Sequence, residues 1–152
     1  MVQAVHAETA RRNRESPKRV HDFIFWRTDY VGSQSSKDHG VTDIPQAYLI
    51  DMGVNGTIPP HFHQVDQFQI LVGGSGSLGR NKPSLIALHY VDHHTAYGPV
   101  MSGPCGLTLF TMRVQSDPGG IYLHDPGYKE RLKPTPKRYL QVEGIALTSE
   151  PV

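Results

Sequence analysis

The sequence predicts an all-β domain, a small barrel or sandwich, and three observations point there. Short runs rich in β-branched and aromatic residues recur along the chain, each closed by Gly or Pro. With 15 glycines and 12 prolines in 152 residues, turns are frequent and long helices are disfavoured. The spacing of the runs does not alternate with helical patterns, so a parallel sheet built from βαβ units is not indicated.

Residues 1–20 are polar and basic, and Pro17 stops any helix begun by Ala4 to Arg14. They read as a basic N-terminal arm, available to pack on a partner subunit. Residues 21–152 read as one barrel domain, with no internal repeat and no second boundary. The first strand is expected over residues 21–26, followed by a polar loop over 32–40. Residues 46–52 are the next strand, and 53–57 turn the chain toward Pro59-Pro60. Residues 67–72 alternate polar and apolar side chains before a stop at Gly73-Gly74. Further strands are expected over 84–91 and 107–114, separated by Gly98-Pro99 and Gly103-Pro104. The tail carries Pro126, Pro134 and Pro136, then a last strand over 139–143.

The formal net charge is +1, so bulk electrostatics call for no polyanion. The basic residues at 11–19 and 129–138 read as solvated surface rather than a nucleic-acid face. A lone Cys105 cannot close an intramolecular disulfide, fits a reducing compartment, and reads as an incidental turn residue. No apolar run follows Met1, so neither secretion nor membrane insertion is supported, and a cytoplasmic protein is expected.

The segment that carries chemistry is His61-Phe62-His63, followed by Gln67. Two histidines one residue apart on an extended segment share a face and can converge on one ion or substrate. Phe62, Phe68 and Ile70 are explained by packing, against a second sheet or another subunit. Asp66 should face away from the histidines and reads as a surface or turn carboxylate. His89 and His93 read as structural or exposed.

This spacing, His-x-His, three residues, Gln67, then six to Gly74, resembles the first motif of the cupins, a superfamily of small β-barrels. The cupin pattern has glutamate where Gln67 stands. The second cupin motif resembles residues 91–99, with Tyr97 at the position of a histidine ligand. The resemblance spans residues 46–114 and implies a double-stranded β-helix, or jelly-roll barrel, with a homodimer as the expected assembly. It also implies a metal site at His61, His63, Gln67 and Tyr97, with His94 as a weaker candidate.

A divalent first-row metal (Fe, Zn, Ni or Mn) suits two imidazoles, although an amide at position 67 removes the usual negative charge. The expectation is then a dioxygenase or isomerase acting on a small polar molecule. Two alternatives stand beside it. His61 or His63 can form a metal-free acid and base pair with Tyr97, with His63 the one singled out, similar to some sugar-nucleotide epimerases of the cupin fold. Or His61, His63, Gln67 and Gln69 form a neutral hydrogen-bonding wall that binds a sugar or organic acid without catalysis.

Overall fold

A sequence whose strands alternate one polar or small residue with one apolar residue buries one face of a sheet, and here that face closes around a central cavity. The computed structural model describes residues 4–20, 23–136 and 139–142. Ten strands are present among them: β1 (Lys18–Val20), β2 (Phe23–Val31), β3 (Gln46–Met52), β4 (Thr57–Ile58), β5 (His61–Phe62), β6 (Gln67–Leu78), β7 (Ala87–Val91), β8 (Val100–Arg113), β9 (Ile121–Tyr122) and β10 (Tyr139–Val142). The main sheet runs β1-β2-β3-β8-β6-β7-β10 with β4 also on β8, and β5 pairs with β9 in a small second sheet. Every pairing is antiparallel, giving the jelly-roll architecture.

Register carries one row of inward side chains across five strands. Asp29 opposes Tyr48, Tyr48 opposes Thr111, Thr111 opposes Gln69, and Gln69 opposes His89. A second row, Arg27, Ile50, Leu109, Leu71 and Ala87, is apolar except at its β2 end. Strand alternation places Gln67, Gln69 and Leu71 inside while Phe68 and Val72 face out, 45% and 46% exposed. The apolar core gathers around Phe23, Met52, Leu71, Leu78, Val91 and Leu107.

Several boundaries differ from the sequence expectation. Strand β3 matches it at both ends. Strand β6 does not stop at Gly73-Gly74 but continues to Leu78, because register shifts between Leu71 and Gly73 and between Gly74 and Gly76 let the strand bend without ending. Gly74 has φ +76°, and a Cβ there would lie 2.2 Å from the Gly106 carbonyl oxygen. Strand β8 begins at Val100, so Cys105 sits exposed on a strand rather than in a turn. Strand β2 runs on to Val31; His21 and Asp22, expected to open it, lie outside the described residues, as does Glu143 at the end of β10.

In the arm, a short helix α1 (Ala7–Ala10) and a 3-10 turn (Arg11–Asn13) end before Pro17, and β1 then pairs with β2. Ala10 is fully buried, and Arg14 reaches Asp51 at 2.6 Å. The arm therefore packs on its own barrel. A second short helix, α2 (Tyr128–Arg131), follows β9. Among the described residues no helix is long and apolar enough to cross a membrane.

Candidate active site

His61 is fixed from both sides. In β5 it opposes Tyr122 of β9, and on its other edge it exchanges backbone hydrogen bonds of 3.1 and 3.0 Å with Tyr97. Phe62 points the opposite way and is fully buried, so His61 and His63 share the cavity face with ring centroids 5.3 Å apart. Gln67 opens β6 on the same face, and Tyr97 is brought in by its bridge to His61. The four residues singled out from the sequence do converge.

Two side chains that the sequence reading passed over hold them there. Arg113, the last residue of β8, reaches the Gln67 side-chain oxygen through Nε at 3.1 Å and Nη2 at 2.7 Å. Its Nη1 donates to Asp117 Oδ1 at 2.6 Å. Asp117 is fully buried; its Oδ2 lies 2.9 Å from His63 Nδ1 and accepts from Gln64 N at 3.1 Å, while Oδ1 also accepts from Gly119 N.

The proton positions in this chain follow from one fact: a guanidinium only donates. The Gln67 atom facing Arg113 is therefore oxygen, so its NH2 group faces Tyr97 and donates to the phenol oxygen at 2.7 Å. The Tyr97 proton must then go to His61 Nε2, 2.8 Å away. His61 carries its own proton on Nδ1 and donates it to the Pro59 carbonyl at 2.8 Å. On the other branch, the Asp117 carboxylate takes the Nδ1 proton of neutral His63, which leaves the lone pair on His63 Nε2.

Charge follows the same plan. Burial and the neighbouring His63 push the His61 imidazole down to about 3, so it is neutral at physiological pH. Burial, with Arg113 beside it, also lowers His63. Burial opposes the Asp117 charge, but His63, Arg113 and the Gln64 N–H outweigh it and hold the carboxyl far below its ordinary range. Burial pushes the Tyr97 phenol well up, so it keeps its proton. His89, hydrogen-bonded to Gln69 Oε1 at 2.9 Å, is lowered by burial to about 4.

These groups open onto a cavity of about 480 Å³, lined by His61, His63, Gln69, Tyr97 and Arg113 on its polar side. Gly119 and Gly120 cover it. A Cβ on Gly120 would lie 3.0 Å from His61 Cδ2, so a side chain there would crowd the histidine ring.

The remaining candidates fall elsewhere. His94 sits in a turn with φ +54°, packs its ring on Phe62 behind the histidine pair, and does not line the cavity. Asp66 accepts from His93 N and Nδ1 at 2.8 and 2.6 Å, the turn role expected of it. His89 is buried in the inward row, the structural one of the two roles expected of it.

As a metal site the donors do not fit. A metal would need the His61 Nε2 lone pair, which Tyr97 occupies, and the Gln67 oxygen, which holds two Arg113 hydrogen bonds. Tyrosine coordinates as phenolate, whereas Tyr97 is pushed the other way. Among the described residues no group of three or more His, Cys, Asp or Glu side chains is arranged to hold an ion.

No family model and no curated protein matches the sequence. Among solved structures, the chain is similar to the polyketide cyclase RemF from Streptomyces resistomycificus, with TM-score 0.55 and 18% identity over 88% of this chain and 95% of that one. The fold is cupin-like. KdgF from Halomonas sp. is also similar, at TM-score 0.46 and 20% identity over 65% of this chain and 87% of that one.

Proposed function

We propose that the protein is a metal-free proton-transfer enzyme acting next to a carbonyl group, with His63 as the base. The observation that carries this is the Asp117–His63 pair, whose carboxylate fixes the imidazole tautomer and leaves the Nε2 lone pair at the cavity. The Tyr97 ring lines the same cavity, centroid to centroid 6.4 Å from His63, so one substrate can meet both side chains.

In the proposed step, His63 Nε2 takes a proton from the carbon beside the carbonyl. The C–H electrons move to the carbonyl oxygen, which becomes an enolate. When substrate enters, the Tyr97 O–H turns from His61 Nε2 and donates its hydrogen bond to that oxygen without giving up the proton, and the Arg113 cation behind Gln67 stabilises the charge. Return of the proton to the same or a neighbouring carbon completes an isomerisation. Attack of the enolate carbon on a second carbonyl of the same molecule closes a ring, and the His63 imidazolium returns its proton to the alkoxide that forms. The ring-closing outcome gains support from RemF, a polyketide cyclase of the same fold, because closing a ring on a polyketide chain needs such an enolate.

The test is hydrogen exchange in D2O on 3-(2-naphthyl)-3-oxopropanoate, a keto acid with an acidic methylene, using chelator-treated protein. We expect the methylene signal to disappear about 100-fold faster than without protein, and His63→Gln to remove that acceleration. Acceleration that survives His63→Gln, or appears only after metal is added, would overturn the reading.

A further inference from the structure

The cavity wall is one-sided in charge. Lys18, Arg19, Arg27 and Arg113 line it, and among the described residues no aspartate or glutamate does. The carboxylates that partner three of these cations lie behind them: Glu15 on Lys18, Asp29 on Arg27 and Asp117 on Arg113. Arg27 is the unusual one. It is 4% exposed, and it sits at the β2 end of a row that is otherwise apolar.

Its guanidinium is fixed in place. Nε donates to Asp29 Oδ1 at 2.7 Å, Nη2 lies 2.7 Å from the same oxygen as an ion-pair contact, and Cζ lies 3.6 Å from the centroid of the Tyr48 ring. Only the Nε contact has hydrogen-bond geometry, so the buried Nη2 makes no hydrogen bond among the described residues. A buried guanidinium with an idle donor facing a cavity is costly unless something else takes the hydrogen bond. Thr111 gives a second, independent sign. The residue lines the same cavity and is 1% exposed, and its hydroxyl has no hydrogen-bond partner.

We infer that this cavity binds an organic anion end-on: one oxygen on the Arg27 guanidinium, the second oxygen on the Thr111 hydroxyl, and an apolar body along Phe25, Ile50, Ile58 and Leu109. The wall opposite the charge is aliphatic and aromatic, so the body is a hydrocarbon or planar ring system rather than a sugar. The inference rests on the proton-transfer reading only for the position of the reacting carbon near His63; the binding itself does not depend on it.

Calorimetric titration of chelator-treated protein with 2-naphthoate and with its neutral methyl ester tests this. We expect the acid to bind at least about tenfold tighter than the ester. Arg27→Gln with Asp29→Asn removes the pair together, so no lone buried charge remains, and should abolish the preference while leaving ester binding in place. Thr111→Val, equal in volume, should weaken both ligands by about fivefold. Equal affinity for acid and ester, no binding of either, or a preference that survives in the double variant would each overturn the inference. His63→Gln should leave the preference intact, so a protein that binds the acid selectively yet exchanges no proton would contradict the enzymatic reading alone.

Discussion

Asp117 Oδ2 lies 2.9 Å from His63 Nδ1, joining residues 54 positions apart in the chain. The second oxygen of that carboxylate is held by Arg113 and the Gly119 amide, so the aspartate cannot turn away from the imidazole. His63 is thereby set in the one tautomer that presents a lone pair to the cavity. Tyr97, on the opposite branch, is set in the one orientation that gives its proton to His61.

Asp117→Asn should separate geometry from charge. The asparagine oxygen must face Arg113, which only donates, so its NH2 group faces His63. His63 must then accept at Nδ1 and carry its proton on Nε2, where it cannot act as a base. We expect exchange on the naphthyl keto acid to fall by about 10³, with a loss of about 3 kcal/mol in urea unfolding because Arg113 loses its buried carboxylate.

Tyr97→Phe leaves two buried groups without a partner, the Gln67 NH2 and His61 Nε2. We expect a fold that persists but is less stable by about 1–3 kcal/mol, measured by denaturant unfolding. Exchange should slow by about tenfold to a hundredfold, because the enolate oxygen loses its donor.

Gln67→Glu converts a relay into a trap. A carboxylate still accepts from Arg113 but cannot donate to Tyr97, so the phenol turns its proton from His61 to the new acid. Metal content by elemental analysis should stay below stoichiometric after reconstitution with zinc or iron, and exchange should decrease. Stoichiometric metal in this variant with none in the native protein would mean that only the missing charge prevents coordination.

Acid should destabilise the fold earlier than ordinary carboxylates would. The folded-state pKa of His61 is about 3 against about 6.5 unfolded, so between those values the unfolded chain binds the proton that the native state refuses. Stability from this group is complete above about pH 6.5 and is lost as pH falls toward 3. His63 is lowered too and adds in the same direction. Urea midpoints should show a loss of about 2 kcal/mol from His61 alone between pH 6.5 and 5. His61→Gln should flatten that slope. Exchange activity needs neutral His63, so it should rise through the lowered His63 pKa and be level across pH 7 to 9.

Much of the site was legible because strand alternation is a strong local rule. It placed His61 and His63 on one face, set Phe62 opposite, and put Gln67 and Gln69 inward. Arg113 and Asp117 were not read, because nothing local in the sequence says which strands become neighbours. Leu109, Thr111 and Arg113 do alternate inward along β8, so a charge at that position was the available signal. Arg27 lay beyond the expected end of its strand and so had no assigned face. The glycines at 73–76 looked like a stop because a turn and a bulged strand demand the same residue.

The most direct measurement is 15N NMR of the imidazole nitrogens between pH 6 and 8, before and after one equivalent of zinc. The expected spectrum has His61 and His63 both neutral, protonated on Nδ1 and bare on Nε2, with no change when zinc is added. Nε2 resonances of both histidines that shift together with stoichiometric zinc, or a His63 protonated on Nε2, would contradict a site whose donors are already committed to one another.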